Sequence, residues 1–237
     1  MDNAPIRLNK FLAERLGVSR READDLISTG QVSINGQQAK LGDKVDKTSK
    51  VCYNKETIPV ESEYLYLALN KPVGYVCSRR AQGDTPTLYE LLPQKYHKLK
   101  TVGRLDKDSS GLIILTNDGD FAYQMTHPKF RKQKVYEVEL DQPLEPLHQQ
   151  MITDFGILLP DGLSQFKVLS NTLVHEFTNT PHTKTPHYTV ILTEGRNRQI
   201  RRTFAALGYK VTKLHRTVFG KYELDDLASG KYREFNK

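Results

Sequence analysis

Covalent and metal-held structure has little to work with in this chain. Two cysteines, Cys52 and Cys77, allow one disulfide at most, and a reduced pair in the cytosol is the simpler reading. No apolar run is long enough to cross a bilayer, and the first twenty residues carry charge throughout, without a signal peptide's apolar core. His175, His182 and His187 fall in a Thr-, Pro- and Asn-rich segment that lacks cysteine or carboxylate partners at ligand spacing. Internal repeats and low-complexity tracts are missing as well. The expectation is a cytoplasmic globular protein with no disulfide scaffold, membrane association or metal centre.

What is present is a core and an excess of cations. At 237 residues and 38% apolar content the chain suits one large domain, or a large one with a small companion. Its net charge of +7 leans towards a polyanionic partner, although many soluble enzymes are mildly basic.

Near the N-terminus Leu8, Phe11, Leu12 and Leu16 recur at helical spacing, and Gly17 closes the helix. Ser19-Arg20-Arg21-Glu22 reads as a capping box opening a second helix that stops at Gly30. Val32-Ser33-Ile34 is a short strand turning at Asn35-Gly36, a strong hairpin signal. Arg20 and Arg21 sit in a helix's first turn, where the macrodipole disfavours cations. A bound phosphate offsets that cost, and Arg7, Lys10 and Arg15 extend the basic surface. A solvated charged face is the plainer alternative. Together, Arg7-Leu8-Asn9-Lys10-Phe11-Leu12, Val18-Ser19-Arg20-Arg21-Glu22-Ala23, Gly30-Gln31-Val32 and Ile34-Asn35-Gly36 resemble the small αL RNA-binding domain first described in ribosomal small-subunit protein four. The resemblance covers residues 5–53 and implies binding to structured RNA through phosphates and shape. Residues 54–63 read as a linker, and 64–237 as the main domain.

The main domain opens with a strand from Tyr64 to Leu69, then a turn and second strand over Asn70 to Val76. Arg79 to Thr87 reads as a loop and Leu88 to Leu92 as a short helix. Gly103-Arg104-Leu105-Asp106-Lys107-Asp108-Ser109-Ser110-Gly111 is a charged loop clamped between extended Leu99-Lys100-Thr101-Val102 and the buried run Leu112-Ile113-Ile114-Leu115. On an extended loop Arg104 and Asp106 point the same way, into whatever cavity the loop edges. A surface hairpin with a salt bridge is the bland alternative. A helix ending near His127-Pro128 follows, then a strand from Lys134 to Leu140, with the valines expected on one face and Tyr136 among the carboxylates on the other. Leu144 to Ile152 and Arg198 to Leu207 read as helices, Tyr188 to Thr193 and Lys210 to Arg216 as strands, and Glu176 to His187 as a loop.

From Glu194 to Arg216 there are seven Lys/Arg against one carboxylate, a density that calls for a bound anion or a buried acid. Arg198 and Arg201 share a helical face at i, i+3 spacing, so one is expected to pair with Asp106 and the rest to hold phosphates. An acid beside an arginine stays ionised, which suits Asp106 to work as a nucleophile or base. Asp108, Asp118 and Asp120 suggest a metal site by number alone, but Asp118-Gly119 reads better as turn chemistry and Asp108 as loop structure. By default Tyr136 is a half-buried packing residue and Arg201 a solvated helix charge.

Lys71-Pro72-Val73-Gly74, Gly103-Arg104-Leu105-Asp106 through Gly111-Leu112, Lys134-Val135-Tyr136, Gly195 to Arg202 and Leu214-His215-Arg216 together resemble the pseudouridine synthases of the RsuA/RluB-type family, across essentially the whole main domain. The resemblance implies an α+β fold, in which the small αL-type domain precedes a mixed, mainly antiparallel sheet with flanking helices. It implies isomerisation of uridine to pseudouridine in ribosomal RNA, with the nucleotide flipped out of its stack and without metal or organic cofactor. Asp106 is then the catalytic aspartate, Arg201 its ion-pair partner, and Tyr136 the ring that stacks on uracil and helps remove a proton from the re-attached carbon. Arg104 enters the RNA beside the flipped nucleotide and Leu214 packs against the base. Lys71 and Arg198 join Arg20 and Arg21 as substrate-binding candidates. A monomer acting on a structured stem-loop in a ribosome-assembly intermediate is expected. The competing readings are a non-catalytic ribosome-assembly factor that kept the fold for binding, and a metal-dependent nuclease using Asp106, Asp108 and Asp118.

Overall fold

In the computed structural model, which describes residues 4–59, 63–79, 83–170 and 186–237, each part of the chain builds its own core. Helix α1 (Leu8–Arg15) buries Leu8, Phe11 and Leu12, the positions that the helical spacing marks. Helix α2 (Arg20–Ser28) starts at Ser19, whose hydroxyl accepts the Glu22 amide at 3.1 Å while the Glu22 carboxylate accepts the Ser19 amide at 2.7 Å. The expected capping box is therefore formed. Both helices share a core with a four-stranded sheet ordered Gln37–Gln38, Val32–Ile34, Val51–Tyr53, Glu56–Ile58.

Asn35 and Gly36 adopt φ of +51° and +84°, the left-handed pair that a two-residue hairpin needs. Asn54 and Lys55 do the same at +48° and +70° and join the last two strands of that sheet. This second hairpin corrects the reading of residues 54–63 as linker, because Ile58 is buried in the N-terminal core. Asn54-Lys55 lacks the glycine that usually advertises such a turn, so its polarity passes for linker.

The rest of the chain is organised on a nine-stranded sheet. Its main path runs Lys167–Ser170, His187–Leu192, Lys134–Leu140, Val211–Phe219, Ser110–Thr116, Tyr66–Lys71, Tyr232–Glu234. Along that path every ladder is antiparallel except the one between Val211–Phe219 and Ser110–Thr116, which is the mixed, mainly antiparallel sheet expected. Leu67, Leu69, Ile113 and Leu115 face one core. Tyr66, Ala68, Leu112 and Ile114 face a second, with Phe121 and Met125 of helix α3 (Gly119–Thr126). Burial on both faces explains why Leu112 to Leu115 is a continuous apolar run and does not alternate.

The parallel ladder is short, pairing His215 with Ser110 and Arg216 with Gly111. Gly111 has φ +102°, and a Cβ there would lie 2.2 Å from the Arg216 carbonyl oxygen. Only glycine lets the charged loop re-enter the sheet at this point.

Other local readings change. Tyr136 shares the buried face with Val138 and Leu140, while Val135 falls on the face of Glu137 and Glu139. Val135 and Val138 are three apart, so a two-residue period cannot put both on one face. The second strand expected before Val76 reduces to a single bridge between Val76 and Thr87. Helix α4 (Pro146–Gln150) runs on into a π-helical turn over Met151–Phe155. Helix α5 (Gln199–Ala206) begins after Arg198, which caps it with φ +47°. Residues 171–185, with His175, His182 and most of the loop expected up to His187, lie outside the described set.

The two parts meet around the C-terminal end of α1. Arg79 donates to the carbonyls of Gly17, Lys98 and Leu99, and Lys100 Nζ donates to the Ala13 carbonyl at 3.0 Å. Cations at a helix C-terminus meet its negative dipole end. Lys10 adds an ion pair to Asp120 at 2.6 Å.

Candidate active site

A cavity of about 290 Å³ opens where the charged loop, two central strands and the turn before α5 converge. Arg104, Leu105 and Asp106 all line the cavity, with Leu105 buried in the adjoining core and Arg104 and Asp106 more exposed on either side of it, as side-chain alternation on an extended loop favours. Tyr136 and Lys134 reach it from one strand, and Leu214 and Arg216 from the next. Thr126 and Pro128 border it from the end of α3.

Three groups hold the loop from behind. Lys71 is fully buried, and its Nζ donates to the Ser109 carbonyl at 2.6 Å and to the Pro72 carbonyl at 3.0 Å. Burial drives its pKa down. Lys71 is not among the residues lining the cavity, and its ammonium is engaged by the loop's backbone carbonyls. Cys77 Sγ brackets Leu105, accepting from its amide and donating to its carbonyl, both at 3.3 Å. Burial pushes that thiol's pKa up, which keeps the S–H available as a donor. His215 Nδ1 lies 2.8 Å from the Ser110 hydroxyl.

The expected ion pair between Asp106 and Arg201 does not form. Arg198 is the arginine near Asp106, at 3.7 Å, and it also grips Asp108 through two parallel bonds of 3.0 and 2.9 Å. Arg201 donates to the carbonyls of Val211 and Asp108, each at 2.7 Å, with Nε 3.3 Å from Asp108 Oδ2. The left-handed backbone at Arg198 takes that residue out of the helical line towards the loop. Arg201, one turn into α5, is committed to backbone carbonyls. Asp108 is therefore more than loop structure, because it ties both arginines to the loop that carries Asp106. Hydrogen bonding from Arg198 holds the Asp108 carboxyl below the usual carboxylate range. Arg201 and Asp108 line an adjoining cleft of about 630 Å³, with Arg198, Lys210 and Lys213.

Arg20 and Arg21 stand apart from the cavity, exposed on α2, where Arg20 donates to Asn9 Oδ1 at 3.2 Å. Asp118 caps α3 by accepting the Phe121 amide at 2.9 Å, the local role that its Asp-Gly sequence suggests.

Two cavity residues, Lys134 and Arg216, fall within the sequence motifs but carry no assigned role there. Burial first, and repulsion from Arg216 second, bring the Lys134 pKa down from 10.5 to about 8. Arg216 is 2% exposed, with Nε donating to the Leu112 carbonyl at 2.8 Å and its guanidinium 4.8 Å from the Phe219 ring centre. The strand period carried a signal for both, since Lys134 is two residues from Tyr136 and Arg216 two from Leu214. The arrangement presents a carboxylate to one small ring held between a phenol and a leucine, with cations available for an anionic chain outside. Its volume sits at the small end of ligand sites, which run about 300–1,000 Å³.

The family model for RNA pseudouridylate synthase matches residues 65–206, and that for the S4 domain matches residues 6–51. The chain is 38% identical over 234 residues to the ribosomal small subunit pseudouridine synthase A of Pasteurella multocida, covering 98% of this chain and 96% of that protein. It is 33% identical over 239 residues to the ribosomal large subunit pseudouridine synthase B of Pseudomonas aeruginosa, covering 98% of this chain and 60% of that protein. A crystal structure of a pseudouridylate synthase superposes with a TM-score of 0.66 at 33% identity, covering 98% of this chain and 96% of that one. Cavity, sheet and sequence agree: the chain belongs to the RNA pseudouridylate synthase family and carries an S4 domain ahead of its catalytic domain.

Proposed function

We propose that this chain isomerises a uridine of small-subunit ribosomal RNA to pseudouridine. The observation that carries the reading is the cavity that brings Asp106, Tyr136 and Leu214 together below a cationic rim. The relatives named small-subunit enzymes, which align nearly end to end with this chain, support the choice of RNA. The target nucleotide leaves its stack to enter the cavity. The Asp106 carboxylate opens the bond between ribose C1′ and uracil N1. The freed ring turns between Tyr136 and Leu214 until its C5 faces C1′, and a carbon–carbon bond forms there. The C5 proton leaves with help from the Tyr136 hydroxyl, N1 takes up a proton, and product and substrate have the same atoms.

Arg198 orients Asp106, and Arg201 acts on the same loop through Asp108. Arg104 holds the RNA beside the flipped nucleotide, while Arg20 and Arg21 bind phosphates at a distance. The protein works as a cytoplasmic monomer on a stem-loop of a ribosome-assembly intermediate.

Asp106→Asn keeps size and removes the carboxylate charge. Pseudouridine formation is expected to fall by at least about 10²–10⁴-fold, with RNA binding largely retained. Undiminished turnover would reject the reading in favour of a binding-only factor. Mapping pseudouridine in both ribosomal RNAs from cells with and without the chain tests the assignment to the small subunit.

A further inference from the structure

The end of α3 carries an aromatic cluster that no core absorbs. Tyr123 and Phe130 are 46% and 37% exposed, and His127 between them is exposed as well. The Tyr123 ring centre lies 4.7 Å from that of His127 and 5.7 Å from that of Phe130, with tilted and edge-on geometry. Lys129 extends its ammonium over both Tyr123 and Phe130, at 5.1 and 4.8 Å. Rings exposed as a contiguous cluster, unlike singly scattered ones, mark an interaction surface, and a cation set among them favours an anionic aromatic ligand.

Two further observations narrow that ligand. From Thr126 to Lys134 the chain has four Lys/Arg and no carboxylate, so His127, Lys129 and Phe130 of the cluster lie in a segment whose only charges are positive. That segment is continuous with the active-site cavity, since Thr126, Pro128 and Lys134 all line it. An RNA whose uridine occupies the cavity has this rim beside it, and in a loop or single-stranded stretch the flanking bases are unpaired and free to stack. Every base offers a π-face, so stacking there tolerates any sequence.

We infer that Tyr123, His127 and Phe130, with Lys129, form a stacking platform for an unpaired RNA base flanking the flipped uridine. The inference rests on the RNA-modifying reading of the neighbouring cavity. Lys129 swings from the rings to the RNA backbone, and a base takes its place against them.

The test measures binding of a short oligouridine and of an abasic ribose-phosphate oligomer of equal length by the full chain. Tyr123→Ala with Phe130→Ala is expected to weaken oligouridine binding about tenfold and to leave abasic binding nearly unchanged. Tyr123→Phe retains the ring and is expected to bind as the wild type does, which separates stacking from a folding defect. Phe155→Ala, at a 70% exposed ring elsewhere, serves as the surface control. Equal losses on both oligomers, no loss on either, or a wild type that does not prefer the oligomer with bases would each overturn the platform. Pseudouridine formation in ribosomal RNA by the wild type is scored separately. A chain that stacks bases but makes no pseudouridine would reject the catalytic reading alone.

Discussion

The N-terminal domain and the catalytic cavity place their charges in opposite ways. Arg20 and Arg21 are consecutive, exposed, and set by a helix whose cap lies one residue before them. In the cavity and its margins, Arg198 reaches Asp108 across 90 residues and Arg201 reaches the same residue's carbonyl across 93. The first arrangement needs only local backbone chemistry. The second exists only once the short parallel ladder has brought the Asp106 loop beside the strand that follows α5. Local charge sites should therefore fail singly and mildly, and assembled ones jointly and severely.

The sharpest way to break that contrast is Asp108→Asn. Asp108 is outside the cavity yet holds both arginines, so losing its charge frees Arg198 from its two-bond grip and loosens the loop that presents Asp106. Misplacing a reacting group by about 1 Å costs on the order of 10²-fold, and a fall of that size in kcat with little change in KM is expected. An unchanged kcat would show that Lys71 and Cys77 hold the loop without Asp108. Because Arg198 holds the Asp108 carboxyl below its usual range, this pairing is present above about pH 4 and fails only as acid protonates Asp108. The neutral limb of the rate profile should not report it.

The same contrast decides what could be read in advance. The capping box at Ser19, the hairpin at Asn35-Gly36 and the alternation of Arg104, Leu105 and Asp106 are written in neighbouring residues, and all three appear as expected. The second hairpin at Asn54-Lys55 was hidden because its left-handed turn uses residues that rarely pay for that conformation without glycine nearby. Which of several arginines meets Asp106 is not a local property. Helical spacing put Arg198 and Arg201 on one face, but Arg198 proved to be the left-handed cap and not part of the helix. Grouping the valines puts Tyr136 on the wrong face, whereas the two-residue period alone places it with Val138 and Leu140.

A smaller effect probes the local side of the comparison. Arg20→Ala with Arg21→Ala should weaken ribosomal RNA binding about tenfold at low salt and lower the salt slope by about one per arginine. Turnover at saturating RNA should change far less than in Asp108→Asn. Equal losses in kcat for the two variants would mean that the helix and the cavity act as one assembled site.

The smallest expected effect comes from pH, through Lys134. Burial and the Arg216 charge favour its neutral form and bring its pKa to about 8, so the cavity holds this positive charge below that pH and sheds it above. KM for RNA should then rise severalfold between about pH 7 and pH 9, as one cation facing the polyanion disappears. Folding stability runs the other way. An unfolded lysine keeps its proton to about pH 10.4, so between about pH 8 and that value the unfolded chain binds more protons and this residue's contribution to stability grows with pH. Lys134→Arg carries its charge throughout and should flatten the rise in KM, while Lys134→Met should start high and stay there. If the arginine variant keeps the wild-type rise, the titrating group lies elsewhere.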